Sequence, residues 1–233
     1  MNHSRFVPLA IGLVSALAAS LCSAQLIVNP AVRAVAGHVE AGGILSMAEV
    51  DYELGGRGDG TIERTVFGTY GAYGMCSCFD VYGVLGFIIE SEPDGWHDSG
   101  TGFILSGGSR ATILDMDPFY LMAYGELRYI DEDYGENESV DMDGYVIETL
   151  FGATANYYLM DNLGAYAVLE AVPFSDGEVE ASGRGISLDD DIEREDPFTV
   201  RFGANYHVDL WTFRAELALL SEQAVTVGAG LSF

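Results

Sequence analysis

The chain has 233 residues, 49% of them hydrophobic and 20% charged, with a formal net charge of −26. Its 10 basic residues are all Arg and stand against 36 acidic ones, which argues against nucleic acid or an anionic membrane surface as a partner. With 13 Tyr and 12 Phe it has too many core-forming residues for a disordered acidic segment, and apolar and acidic residues must be segregated along it.

Residues 1–24 read as a signal peptide: a short start carrying Arg5, an apolar run from Phe6 to Leu21, then Cys22-Ser23-Ala24 with small residues at the recognition positions. A lipoprotein anchored through Cys22 is disfavoured by Leu21, which is large where that signal requires a small side chain. Removing 24 of 233 residues leaves 209, the domain 25–233, with 9 Arg against 36 acids and the pair Cys76 and Cys78. One pair is no disulfide framework for a chain of this size. No later stretch reaches the ~18–20 apolar residues of a membrane helix.

From residue 37 onward the chain divides into about ten segments with a period of two, which favours sheet over helix. The first, 37–54, turns Val39, Ala41, Leu45 and Met47 one way, but Glu49 and Asp51 share that parity, so the strand has either left the membrane there or carries a bulge. The second, 62–75, places Phe67 and Tyr73 outward and Arg64 and Tyr70 inward. Segments 79–90 and 103–113 put Glu90 and Arg110 on the inner face. Segment 119–129 sets Phe119, Leu121, Leu127 and Tyr129 against Tyr124, Glu126 and Arg128. Segment 145–159 sets Tyr145, Ile147, Phe151 and Tyr157 against Glu148, Thr154 and Asn156, and 163–172 turns Glu170 inward. The last three are 198–208, with Arg201, Asn205 and His207 inward; 211–220, with Arg214 and Glu216 inward; and 224–233, which alternates to the final Phe233.

A soluble sandwich would also alternate, but its apolar face would be aliphatic throughout. Here the apolar face is graded. Phe79, Phe119, Tyr157, Tyr206, Trp211 and Phe233 adjoin short turns at 76–78, 114–118, 160–162 and 209–210 or the chain end. Phe87, Phe103, Tyr129, Tyr145 and Phe198 adjoin longer links at 55–61, 91–102, 131–144 and 173–197. Two aromatic girdles around an aliphatic band are what a transmembrane barrel presents to lipid. The expected fold is therefore all-β: an antiparallel up-and-down transmembrane barrel of about ten strands, or eight if two weak segments fail.

The last eight residues, TVGAGLSF, resemble the terminal signal by which bacterial outer-membrane barrels are recognised, carried here by Thr226, Gly228, Leu231 and Phe233. The run YGMCSCFDVYGVLGF from Tyr73 resembles the strand, short turn and Tyr-Gly strand start of small opacity-type or porin-family barrels. That resemblance implies the bacterial outer membrane as location, with its lipid and the barrel-assembly machinery as partners, and no cofactor. Its members include adhesins, narrow channels and a few enzymes, so fold does not settle function.

Inward Arg64, Arg110, Arg128, Arg201 and Arg214 can pair with Glu40, Glu90, Glu126, Glu148, Glu170 and Glu216. They either line a selective pore or fill the interior as salt bridges together with inward tyrosines; a barrel near eight strands is narrow enough to be filled. Seven acids in 131–144 and nine in 173–197 suggest an acidic loop crown, solvated or able to hold divalent cations. Of the histidines, His38 and His207 fall near short-turn ends, and His97 sits beside Asp94, Asp98 and Ser99 without a triad signature. The expectation is a non-enzymatic barrel with a structural or surface-interaction role, or a narrow cation-preferring channel; the alternative is a lipid-modifying or proteolytic barrel enzyme.

Overall fold

The computed structural model describes residues 34–54, 58–93, 99–137, 140–183, 186–220 and 222–233. Residues 1–24, the expected signal peptide, and Asp94, His97, Asp98 and Arg184 lie outside them. The strands are β1 (Val39–Leu54), β2 (Gly58–Cys76), β3 (Phe79–Pro93), β4 (Gly100–Met116), β5 (Phe119–Asn137), β6 (Val140–Met160), β7 (Leu163–Gly183), β8 (Ile186–Arg194), β9 (Phe198–Val208), β10 (Trp211–Leu220) and β11 (Glu222–Ser232).

Ten strands close the barrel. Neighbours run β11-β10-β9-β7-β6-β5-β4-β3-β2-β1, and β1 pairs back onto β11 from Glu40↔Ser232 to Val50↔Glu222. That β1–β11 ladder has no register shift, so Glu49 and Asp51 face outward because the strand has risen past the apolar band, without a bulge. Outside, the wall carries Leu45, Phe67, Leu85, Leu105, Leu127, Phe151, Leu169, Phe202 and Phe213, each 42–58% exposed. An apolar belt this continuous is a surface made for lipid.

The segment 173–197, expected to be a long loop, instead forms the upper half of β7 and the extra strand β8. Strand β8 pairs with β7 from Gly177↔Ile192 to Gly183↔Ile186, and with β1 at Tyr52↔Arg194, Glu53↔Glu193 and Leu54↔Ile192. It enters the sheet above the level where β9, β10 and β11 end. The barrel is thus ten-stranded at its short-turn end and eight-stranded, β1 to β8, at the other. Segment 131–144 is likewise mostly strand: β5 and β6 run 19 and 21 residues, against about 9–11 needed to cross a bilayer. Their pairing continues through Asp131↔Tyr145 to Asp133↔Asp143 because outward acids remain solvated while Ile130, Glu132 and Tyr134 are buried inside.

Candidate functional site: the barrel interior

Three arginines from three strands join five glutamates into one network. Arg128 on β5 donates from Nη2 to Glu126 at 3.0 Å and from Nη1 to Glu148 at 3.2 Å. Arg201 on β9 donates to Glu170 at 3.0 Å and to Glu216 and Glu222 at 3.3 Å. Arg194 joins the two halves: its Nη2 donates to Glu222 at 3.3 Å and its Nη1 lies 3.5 Å from Glu148. All these side chains are at most 2% exposed.

Two further pairs lie apart from it. Arg110 grips Asp80 with Nε and Nη2 at 2.9 and 2.8 Å, and Arg64 grips Glu132 with Nε at 2.7 Å and also with Nη2. Arg214 is buried on the same face, its Nε close enough to Gly228 that a Cβ there would sit 3.1 Å away. Apolar side chains of β1 to β4, among them Ile44, Val66, Val84, Ile88 and Ile104, complete the interior.

Glu90 does not belong to this set. The β3 ladders slip between Ile88 and Ser91, so Ser91 takes the inward place and Glu90 is turned outward, where Thr65 donates to it at 3.4 Å. Conversely, Asp80, Glu132, Arg194 and Glu222 are interior charges that alternation alone did not single out. Arg194 is one of two bases, with Arg184, in the segment 173–197 expected to be an acidic loop.

Inward tyrosines repeat one device. Tyr82 reaches across Gly108 on the next strand and donates to Glu126 on the one beyond, at 3.0 Å. Tyr124 crosses Gly152 to Glu170 at 2.6 Å, and Tyr166 crosses Gly203 to Glu216 at 2.9 Å. At Gly152 and Gly203 a Cβ would come within 2.2 and 2.3 Å of the tyrosine ring, so only glycine lets the ring lie flat on the wall. The sequence signal was present: these three tyrosines begin Y-G/A-x-L runs on alternate strands.

Of the four residues of the terminal signal, Thr226, Gly228 and Leu231 lie on β11 and Phe233 directly follows it. Thr226 points inward and shares a hydrogen bond with Ser46 at 2.6 Å; Leu231 pairs with Ala41 and Trp211; Phe233 exchanges two 2.9 Å backbone bonds with Val39 and is 62% exposed. At the short-turn end Phe119 lies opposite Tyr157, and Trp211 stacks with Phe213 at 6.3 Å, while Tyr206 faces outward and Phe79 is partly exposed. At the other end Phe103, Tyr129 and Tyr145 form a row, with centroids 5.8 and 6.2 Å apart. His207 bonds Thr212 at 3.0 Å near the short-turn end. Among the described residues no group of three or more His, Cys, Asp or Glu side chains is placed to hold a metal ion.

No family model matches the sequence, and no curated protein matches it either. Solved structures do. The outer membrane protease OmpT from Escherichia coli is similar over 90% of this chain and 99% of its own, with a TM-score of 0.59 at 8% identity. An outer membrane channel from Pseudomonas putida F1 is similar over 90% of this chain and 100% of its own, with a TM-score of 0.50 at 13% identity. OprG, an outer membrane protein from Pseudomonas aeruginosa, aligns over 86% of this chain and 98% of its own, with a TM-score of 0.48 at 12% identity. The fold is that of bacterial outer-membrane β-barrel proteins, a fold shared by channels and a protease alike.

Proposed function

We propose that this chain is an exported, non-enzymatic barrel of the bacterial outer membrane, closed to ions, whose role is structural or surface interaction through its acidic upper wall. The observation that carries this reading is the Arg128–Glu148–Arg194–Glu222–Arg201 chain, which spans the interior with side chains all but removed from solvent. Charges paired in that way leave no continuous water column. Planar-bilayer recordings of the purified protein are expected to show no steady conductance. A narrow channel beneath the acidic wall would instead give steady openings with reversal potentials favouring K⁺ over Cl⁻, and these would end the closed-barrel reading. For location and assembly, Thr226, Gly228, Leu231 and Phe233 supply the terminal strand on which the assembly machinery acts. Deleting Phe233 is expected to lower the amount in the outer membrane more than the amount synthesised; equal outer-membrane levels would remove that role.

A further inference from the structure

The eight-stranded upper section surrounds a partly open cavity of about 80 Å³. Tyr52, Ile62, Tyr134, Met142, Val179 and Ile192 line it, one from each of six strands. Below lies the Arg64–Glu132 pair, which engages both tyrosine hydroxyls: Arg64 donates to Tyr52 at 2.8 Å, and Tyr134 donates to Glu132 at 3.0 Å. On the wall, the hydroxyl of Thr61 donates to Asp51 at 3.1 Å. What remains turned to the void is ring and aliphatic surface.

Such a space suits neither water nor a polar ligand. A buried water needs about two to four hydrogen-bond partners, and every lining hydroxyl is already directed elsewhere. A polar group placed there would lose its hydration without replacement. An anion would in addition approach past outward Asp131, Asp133, Asp141 and Asp143 on β5 and β6. Size narrows the choice further, since a cavity of ~150 Å³ accommodates benzene. One of about 80 Å³ takes a smaller hydrocarbon directly, and benzene with a shift of Met142, an unbranched side chain suited to repacking.

We infer that this cavity is a binding site for a small apolar molecule, an aliphatic or aromatic hydrocarbon of roughly four to six carbons. Tyr52 and Tyr134 supply the flat walls, Ile62, Val179 and Ile192 the aliphatic ones, and Met142 the adjustable one. The Arg64–Glu132 pair closes the bottom, so the ligand is held rather than passed into the charged interior. The site is independent of whether that interior conducts, and a failure of the closed-barrel reading leaves it standing.

Methionine-methyl NMR on the full-length folded protein in lipid nanodiscs, titrated with benzene, tests this. The Met142 methyl resonance is expected to shift saturably. Met75, Met116 and Met160, which are 56–65% exposed at the short-turn end, report only probe dissolved in lipid and should drift linearly. Val179→Phe, which fills the void, is expected to abolish the saturable shift while the three controls behave as before. Ile192→Ala, which enlarges it, should lower the half-saturating benzene concentration several-fold and serves alone if Val179→Phe does not fold. Linear drift at Met142, as would be seen if a segment of the chain itself filled the void, overturns the inference. So does a saturable shift that Val179→Phe leaves intact or Ile192→Ala leaves unmoved.

Discussion

Along β6 one strand has two opposite chemistries. In its lower part Phe151 and Ile147 face out and Glu148 faces in; in its upper part Asp143 and Asp141 face out and Met142 faces in. Parity is unbroken, since β5 and β6 stay in register from Phe119↔Tyr157 to Asp133↔Asp143. What changes is the medium. Within the bilayer the apolar phase is outside the barrel, so charges go inside, where they must be paired; above it water is outside, and the section packs like an ordinary soluble β-structure. The polarity of the alternation, more than its period, marks where lipid ends.

Stability should be divided in the same way. Arg201→Ala removes the shared partner of Glu170, Glu216 and Glu222 and is expected to cost about 3–5 kcal/mol, as when a buried ion pair loses one partner. Ile192→Val, in the upper section, should cost only about 0.5–1.5 kcal/mol. Urea unfolding in detergent, followed as the loss of the fast-migrating band on unboiled gels, measures both. An Arg201→Ala cost no larger than that of Ile192→Val would mean that water reaches the lower interior and that the two sections do not differ as described.

The boundary itself can be probed on one face of one strand. Phe151→Arg sets a charge against lipid and should cost about 2–4 kcal/mol near the bilayer midplane. Asp143→Arg, on the same face of β6 but above the upper aromatic row, should lie within about ±0.5 kcal/mol, as surface changes usually do. If the two substitutions cost the same, the upper row of Phe103, Tyr129 and Tyr145 does not mark the lipid boundary.

Much of the lower section was legible from alternation, because a lipid-facing strand must present apolar residues at every second position. The outward Phe151, Leu127 and Phe202 follow from that constraint, and the alternating segments with their turns gave about ten strands, with eight as the alternative. The upper section was not, although DMDG and EVEA also alternate. Their outward acids resemble a solvated loop, and short apolar residues such as Val179 and Ile192 give little contrast. Local defects were hidden too: the slip that turns Glu90 outward occurs within an IIESE run that contains neither Gly nor Pro. Arg194 became an interior residue only when β8 placed it opposite Tyr52, a pairing between residues remote in sequence.

The smallest effect is expected where neither section has a stake. Cys76 ends β2 and Cys78 lies in the turn to β3; both are exposed at the short-turn end, and their sulfurs are 3.1 Å apart. One residue separates them, so even in a bridged form the closed loop would restrict the unfolded chain very little. Neither side chain enters the interior or the lipid-facing belt. Replacing both with Ser should therefore change stability by no more than about 0.5 kcal/mol, with the unboiled gel mobility and the urea midpoint both retained. Unfolding of the double variant would mean that the turn is a staple for the β2–β3 hairpin, and that part of what holds the lower barrel closed lies outside its ion network and its lipid face.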